Sequence, residues 1–215
     1  TALLGYEQMT FKYNDFNSNK LGLSEPSVGD LNAAVEPYSS GGYFTEYASR
    51  SVFGRATYAY DSRYLFEANL RYDGSSRFAP EHRWGFFPSG AFAWNIAKED
   101  FMKEVPQIST MKLRISAGVT GQQDGINDYV HLATYSVSSD PYYKYNMGDA
   151  GHSFWLTPAA YDPDIKWETT TNYNVGFDYG FFDDRLYGTF DAYLRDTRDL
   201  LNSVQIPMGS NFGNK

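Results

Sequence analysis

The 215-residue sequence contains no cysteine, which excludes a disulfide framework and any metal site built on thiolates. It also has no apolar run near the roughly 18 residues that a membrane helix needs, and its mean hydropathy is −0.52. These two features exclude a protein that crosses a membrane with helices. The net charge is −8, and no basic cluster with interleaved aromatic residues is present, so nucleic acid is not an expected partner.

Residue types that carry catalysis or bind metals are sparse in this chain. His82, His131 and His152 are not at zinc-ligand spacing, and no nucleophile elbow, phosphate loop or dinucleotide fingerprint appears. Aspartates scattered between residues 121 and 164 lack the regular ligand order of an EF-hand, although a calcium site there stays open as an alternative. We therefore expect no catalytic residue, no metal and no cofactor, and hence no enzyme.

Aromatic residues are the abundant class: 18% of the chain, with 19 Tyr and 16 Phe. Tyrosine and tryptophan have an apolar body and a polar tip, so they favour the interface between membrane and water. They also have a high propensity for strands in soluble β-domains. Composition alone leaves both interpretations open.

Strict alternation of apolar and polar residues separates these interpretations. Tyr64, Phe66, Ala68, Leu70 and Tyr72 share one face of a strand, and the residues between them are mostly polar or charged. The same pattern recurs over 111–120, and long alternating strands with aromatic ends are typical of a transmembrane β-barrel. We therefore predict an all-β fold, an antiparallel segment of such a barrel.

Seven strands are predicted, with connections that alternate in length. Their approximate ranges are 1–13, 49–60, 63–73, 83–97, 108–120, 165–181 and 184–200. The turns are tight at 61–62 and 182–184, of medium length at 98–107, and long at 14–48, 74–82 and 121–164. Outer-membrane barrels have short periplasmic turns and long external loops, and this order of lengths is consistent with that rule. We also expect a short external strand within 129–137 and a local break at Pro88.

Two groups of residues are candidates for function. Aromatic residues of the last long loop are expected to face a substrate or a partner, with packing within the loop as the alternative: Tyr142, Tyr143, Tyr145, Phe154, Trp155 and Tyr161. Charged residues on the polar faces or beside them are expected to line the lumen of the barrel: Glu67, Arg71, Asp73, Arg77, Arg114, Glu168, Asp178 and Arg195. Trp84, Trp94 and Trp167 are expected in the interfacial girdles.

An ordered series of motifs resembles the barrel of SusC/RagA-type TonB-linked outer-membrane receptors. The series runs over about 49–201 and includes LRYDGSSRF at 70–78, RWGFFPS at 83–89, AWNI at 93–96 and EDFM at 99–102. It continues with MKLR at 111–114, GVTGQ at 118–122, WETTT at 167–171 and GFFDDRL at 180–186.

This resemblance implies a roughly 22-stranded barrel in the outer membrane of a Bacteroidetes-type bacterium. Members of the family import glycan or peptide fragments with energy from TonB, and a SusD-like surface lipoprotein usually caps the barrel. The resemblance thus implies four partners: that lipoprotein, TonB, outer-membrane lipid, and an oligosaccharide or peptide substrate. We expect residues 1–215 to be one internal piece of the barrel domain, without the plug domain and without either natural terminus.

Two alternatives from other classes stay open at this point. One is a soluble, secreted carbohydrate-binding β-sandwich, which would fold without detergent. The other is an outer-membrane barrel enzyme, such as a protease or an acyltransferase, which would need an acid, a base and a nucleophile at one rim of the barrel. No such cluster is evident in the sequence.

Overall fold

The computed structural model describes residues 1–23, 30, 34–138 and 155–205. Seven strands form one antiparallel sheet in which spatial neighbours follow chain order, and two short strands form a separate hairpin. The strands are β1 Ala2–Leu23, β2 Ala34–Tyr60, β3 Tyr64–Ser75, β4 Trp84–Asn95, β5 Ile108–Gln122, β6 Tyr135–Ser138, β7 Trp155–Pro158, β8 Glu168–Phe181 and β9 Leu186–Arg198. Among these described residues, helix is limited to two 3-10 turns, Ile96–Lys98 and Asp100–Met102, and no helix is long and apolar enough to span a membrane.

The register of the sheet places apolar side chains of neighbouring strands on one side, which we call the aromatic face. Tyr58 is opposite Phe66, and Phe66 is in turn opposite Phe92, with ring centroids 6.5 and 5.0 Å apart. Cross-strand pairs of this kind stabilise a sheet because directly opposed side chains are in contact. The opposite side, the polar face, carries the charged residues. The predicted alternation is therefore present in three dimensions.

Aromatic pairs mark both ends of the aromatic face. At the end where the long connections lie (the loop end), Tyr72 and Trp84 stack with centroids 4.9 Å apart. At the end with the short connections (the turn end), Tyr64 stacks on Trp94 at 6.4 Å and also approaches Tyr60. Rings at both edges of an apolar band are the arrangement of interfacial girdles.

The prediction for Trp167 was wrong. Its ring is not on the aromatic face: it packs against Phe78 and Phe87, with centroids 4.6 and 5.3 Å away. The indole N–H donates to the carbonyl of Arg83 at 3.0 Å. Because Trp167 precedes the first residue of β8, strand alternation does not fix its direction, and the buried cluster beneath it does.

A small buried core lies at the loop end, where the connections fold against the sheet. Phe78 is 0% exposed, and Ala79, Phe87 and Ile165 are also buried. Backbone hydrogen bonds tie this core together, from Ala79 N to Ile165 O at 3.3 Å and from Ser75 N to Arg83 O at 3.0 Å. The connection after β3 is therefore a packed segment of the wall.

The predicted long loop over 14–48 was also wrong. β1 and β2 stay paired beyond the predicted strand ends, through Asn14↔Phe44 and Ser18↔Ser40 and on to Leu23↔Ala34. Ladder hydrogen bonds use the backbone, so residues with low strand propensity such as Asn, Ser and Gly still pair when the neighbouring strand continues. The ladder skips one residue beside Pro37, which has no N–H to donate.

The two tight turns lie at the positions predicted from the sequence. Asp61 and Ser62 both have positive φ, 50° and 53°, and the Arg63 N–H donates to the Tyr60 carbonyl at 2.9 Å, so they are the central residues of a tight β-turn. Residues 182–184 form the second tight turn. At Pro88 the pairing of β4 with β5 stops after Ser89↔Gly118, whereas the pairing with β3 continues. The short strand expected within 129–137 begins later, at Tyr135, because residues up to Leu132 form a turn.

Candidate functional site

The polar face carries ion pairs that link adjacent strands. Arg71 of β3 donates from Nε to both carboxylate oxygens of Asp73, at 2.8 and 2.7 Å, and from Nη2 to the Ser51 hydroxyl at 3.1 Å. Its guanidinium also lies 5.5 Å from the ring centre of Phe53 on β2. Glu7 of β1 completes the group at 3.5 Å. One arginine therefore connects three strands.

A second network joins β5, β8 and β9. Arg114 binds the Asp178 carboxylate through two hydrogen bonds, from Nε at 2.9 Å and from Nη2 at 2.8 Å. Asp191 lies 3.2 Å from the same guanidinium, and the Thr189 hydroxyl donates to Asp178 at 3.1 Å. Two-point binding of this kind fixes the orientation of both side chains.

The remaining wall candidates also have partners in the sheet. Arg55 reaches Glu67 at 2.7 Å, and the Arg195 Nε donates to the Asn172 side chain at 3.0 Å. Glu168 accepts the backbone N–H of Leu201 at 3.0 Å. Ion pairs therefore neutralise part of the wall charge, whereas Arg195 and Glu168 are held by hydrogen bonds to uncharged groups.

Arg77 departs from this pattern, because it lies in the connection after β3. Its Nε donates to Asp128 at 2.8 Å, and its guanidinium lies 3.9 Å from the ring centre of Tyr47. Asp128 also accepts from the Thr45 hydroxyl, and His131 Nδ1 lies 3.2 Å from the Arg77 carbonyl. The side chains of Arg77 and Asp128 are only 16% and 8% exposed. This half-buried pair anchors the segment after β5 to the extended part of β2.

A cavity of about 680 Å³ opens beside this anchor, on the polar side of the extended β1–β2 hairpin. We call it the aromatic pocket, and its walls come from two regions. Phe11, Tyr13, Tyr43 and Thr45 supply the wall from the hairpin, and residues 126–130, including Tyr129, supply the facing wall. The Tyr129 hydroxyl accepts the backbone N–H of Glu46 at 3.1 Å, so it holds the two walls together.

Sequence reasoning missed the hairpin wall of this pocket because the region was interpreted as a loop. A signal was present: Phe11, Tyr13 and Asp15 alternate on one strand, and Tyr43, Thr45 and Tyr47 alternate on the other. Two alternating runs of equal length on either side of a turn-rich segment indicate a hairpin that continues.

The loop candidates are only partly described. Tyr161 is half-buried near the pocket wall formed by 159–160, and it has an interaction partner. Trp155 begins β7, which pairs with β6 as Ser138↔Trp155. Tyr142, Tyr143, Tyr145 and Phe154 lie outside the described residues. His152 and the Asp140 and Asp149 positions considered for calcium do so too. Within the described ranges, no group of three or more His, Asp or Glu side chains converges as a metal site would require.

A cluster of charged side chains links two connections at the turn end. Arg63 reaches Asp61 at 2.9 Å and Glu99 at 3.3 Å, so it ties the β2–β3 turn to the connection after β4. The hydrogen bond from the Trp94 indole at 2.9 Å, together with one from Tyr64 and the charge of Arg63, lowers the pKa of the Glu99 carboxyl. Carboxylate acceptors held in this way stay ionised to lower pH than a free glutamate does.

A sheet with one apolar, aromatic-edged face and one polar, ion-paired face is the wall of a transmembrane β-barrel. The chain matches the family model for the TonB dependent receptor-like β-barrel over residues 1–214. It belongs to that family of outer-membrane proteins, so the aromatic face contacts lipid, the turn end is periplasmic and the loop end is external.

Individual relatives agree with this assignment. The chain is 46% identical over 172 residues to the TonB-dependent receptor SusC of Bacteroides thetaiotaomicron, covering 78% of this chain and 17% of SusC. It is 39% identical over 184 residues to TonB-dependent receptor P3 of Formosa agariphila, covering 86% of this chain and 18% of P3. The RagAB peptide importer in its closed-closed state superposes with a TM-score of 0.84 and 27% identity, over 99% of this chain and 23% of that one. The chain thus spans about a fifth of the length of these proteins.

Proposed function

We propose that this chain supplies part of the barrel wall and external loops of a receptor that imports oligosaccharide or peptide fragments across the outer membrane, driven by TonB. We propose further that residues 1–215 all belong to one barrel domain and that the plug lies elsewhere in the receptor. The observation that carries the proposal is the two-faced sheet, lipid-compatible outside and ion-paired inside. Its similarity to SusC and to a protein named as a peptide importer supports the import of such fragments.

The wall residues are proposed to shape the lumen without catalysing a reaction. Arg71, Arg114 and Asp178 are engaged with neighbouring side chains, which suits a wall more than an acid–base pair awaiting a substrate. A wall on which these charges are already paired offers few strong sites there at which a passing polar solute would be retained. This supports a transporter over the enzyme alternative.

The external aromatic residues are proposed to face the substrate or a SusD-like lipoprotein that caps the receptor. These residues are Tyr142, Tyr143, Tyr145, Phe154, Trp155 and Tyr161. Deletion of 140–158 in the full-length receptor is expected to reduce either uptake or capture of the lipoprotein. Unchanged uptake together with unchanged complex formation would contradict this role.

The import function is tested by growth and uptake in the bacterium that carries the gene. A deletion strain is expected to lose uptake of one class of fluorescently labelled fragment, either oligosaccharides or peptides. Re-expression of the full-length receptor is expected to restore uptake, but not in a strain without functional TonB. Uptake that persists in the deletion strain for both classes of fragment would refute the proposal.

A further inference from the structure

We propose that the aromatic pocket is a binding subsite for a neutral oligosaccharide. This inference rests on the proposed import function, since it assigns a substrate class to the external side of the same polar face. The pocket lies where solute arriving from outside meets the wall, above the ion-paired networks of the strands.

The aromatic rings of the pocket are exposed rather than packed away. Tyr43 is 59% exposed, and Phe11, Tyr13 and Tyr129 are also exposed large side chains. Phe11 lies 5.3 Å from Tyr47, and Tyr13 lies 5.4 Å from Tyr43, in tilted pairs. The face of an aromatic ring is electron-rich, and the C–H groups on the flat side of a pyranose ring carry a small positive charge. Sugar rings therefore stack on such faces without needing a charged partner.

Hydroxyl, amide and carboxylate groups of the hairpin lie beside the rings. Tyr13 packs against Tyr43, and Asp15 is the next residue on the same side of β1. Asp15 also accepts from the Asn17 amide at 3.3 Å. Hydroxyl groups of a sugar both donate and accept, so a rim of tyrosine hydroxyls, an amide and a carboxylate provides matching partners.

The charges of the pocket disfavour an anionic ligand, and the aromatic rings need no charge on the ligand to stack. Arg77 is bound to Asp128 and lies against the Tyr47 ring, so its positive charge is already neutralised. Asp15 adds a negative charge at the rim, which disfavours the carboxylate terminus of a peptide or an acidic sugar. A volume of about 680 Å³ lies within the range of roughly 300–1,000 Å³ that is usual for small-ligand sites and accommodates a short oligosaccharide segment.

The test uses the full-length receptor, purified in detergent together with its lipoprotein, and measures binding by calorimetry. The probes are neutral hexasaccharides of differing linkage, and a hexapeptide with blocked termini serves as the competing class. Tyr43→Ala is expected to weaken binding of the preferred hexasaccharide about two- to tenfold, through loss of one aromatic contact. Tyr43→Phe, which keeps the ring, is expected to retain most of the affinity.

Phe16→Ala is the matched control, since Phe16 is on the same hairpin, is 80% exposed and is not part of the pocket wall. Its affinity is expected to equal that of the wild type. Heat-modifiable migration on gels verifies that each variant is folded. Equal hexasaccharide affinity for Tyr43→Ala and the wild type would overturn the inference. Binding of the hexapeptide, but of no hexasaccharide, by the wild type would also overturn the inference, although the proposed import function would stand. Absence of uptake for both classes would refute the import function first and the subsite with it.

Discussion

Replacement of Phe78 by alanine should loosen the external end of the wall while leaving the barrel strands intact. Phe78 is completely buried and packs on Trp167 at 4.6 Å, and Phe87 packs on the same indole at 5.3 Å. Truncation of a buried phenylalanine costs about 3–5 kcal/mol, the sum of lost apolar burial and the cavity that remains. The cost should appear locally, because Phe78 belongs to a connection and not to the strand ladder.

Hydrogen exchange measured by mass spectrometry on the full-length receptor detects this loosening. A loss of about 3 kcal/mol corresponds to more than 100-fold faster exchange. It should appear at the amides of Ala79 and Ser75, whose hydrogen bonds close the core. The amide of Glu99 at the periplasmic end serves as an internal reference and should not change. Phe101→Ala, an exposed phenylalanine, is the control variant. Unchanged protection of Ala79 in the Phe78 variant would refute the view that this core holds the connection.

Three further predictions concern charge and close packing. Removal of either Arg77 or Asp128 alone should destabilise the docked segment after β5 by about 1–3 kcal/mol, because the other charge loses its ion-pair partner in a partly buried site. A double-mutant cycle read by proteolysis of that segment should show strong coupling, and additive effects would contradict it. The pKa of Glu99 is lowered, so its contribution to stability should be present above pH 4.5, the ordinary glutamate value, and be lost as the pH falls below it. Glu99→Gln should flatten this pH dependence of stability in thermal unfolding. Gly121→Ala should destabilise the external end, because its Cβ would lie 2.1 Å from the buried ring of Phe87. Gly90→Ala is the control and should be tolerated in the same unfolding assay, because its Cβ would lie 3.6 Å from the nearest heavy atom, the Glu67 carbonyl oxygen.

The strands and their faces could be predicted from the sequence because strand alternation is a local property. The residues from Tyr64 to Tyr72 need no knowledge of distant contacts to be assigned to one face, and the register then brings Tyr72 and Trp84 together at one edge. The tight turns could be predicted equally well, because Asp61 and Ser62 are short polar residues between two alternating runs. In both cases the information lies within a few neighbouring residues.

The hairpin extension and the interior packing could not be predicted in the same way. Asn14 and Ser18 have weak strand propensity, and they are extended because β2 continues beside them. Trp167 has the composition of a girdle residue, yet it is directed inward by Phe78, which lies far from it in the chain. Such positions depend on long-range packing that a single sequence does not display.

The contrast between locally determined strands and positions set by long-range packing bears on where ligand specificity would lie in the molecule. The superposition with a TM-score of 0.84 at 27% identity shows that the sheet persists when most of its residues are replaced. The strand ladder needs only alternation of apolar and polar residues. Each wall position is therefore constrained in its polarity but not in the particular amino acid. Tyr43 and Asp15 are under no such constraint from the membrane, because they lie beyond the aromatic girdle on the extended hairpin. We therefore place the proposed recognition of one solute over another in this external region, where side chains can change without cost to the barrel.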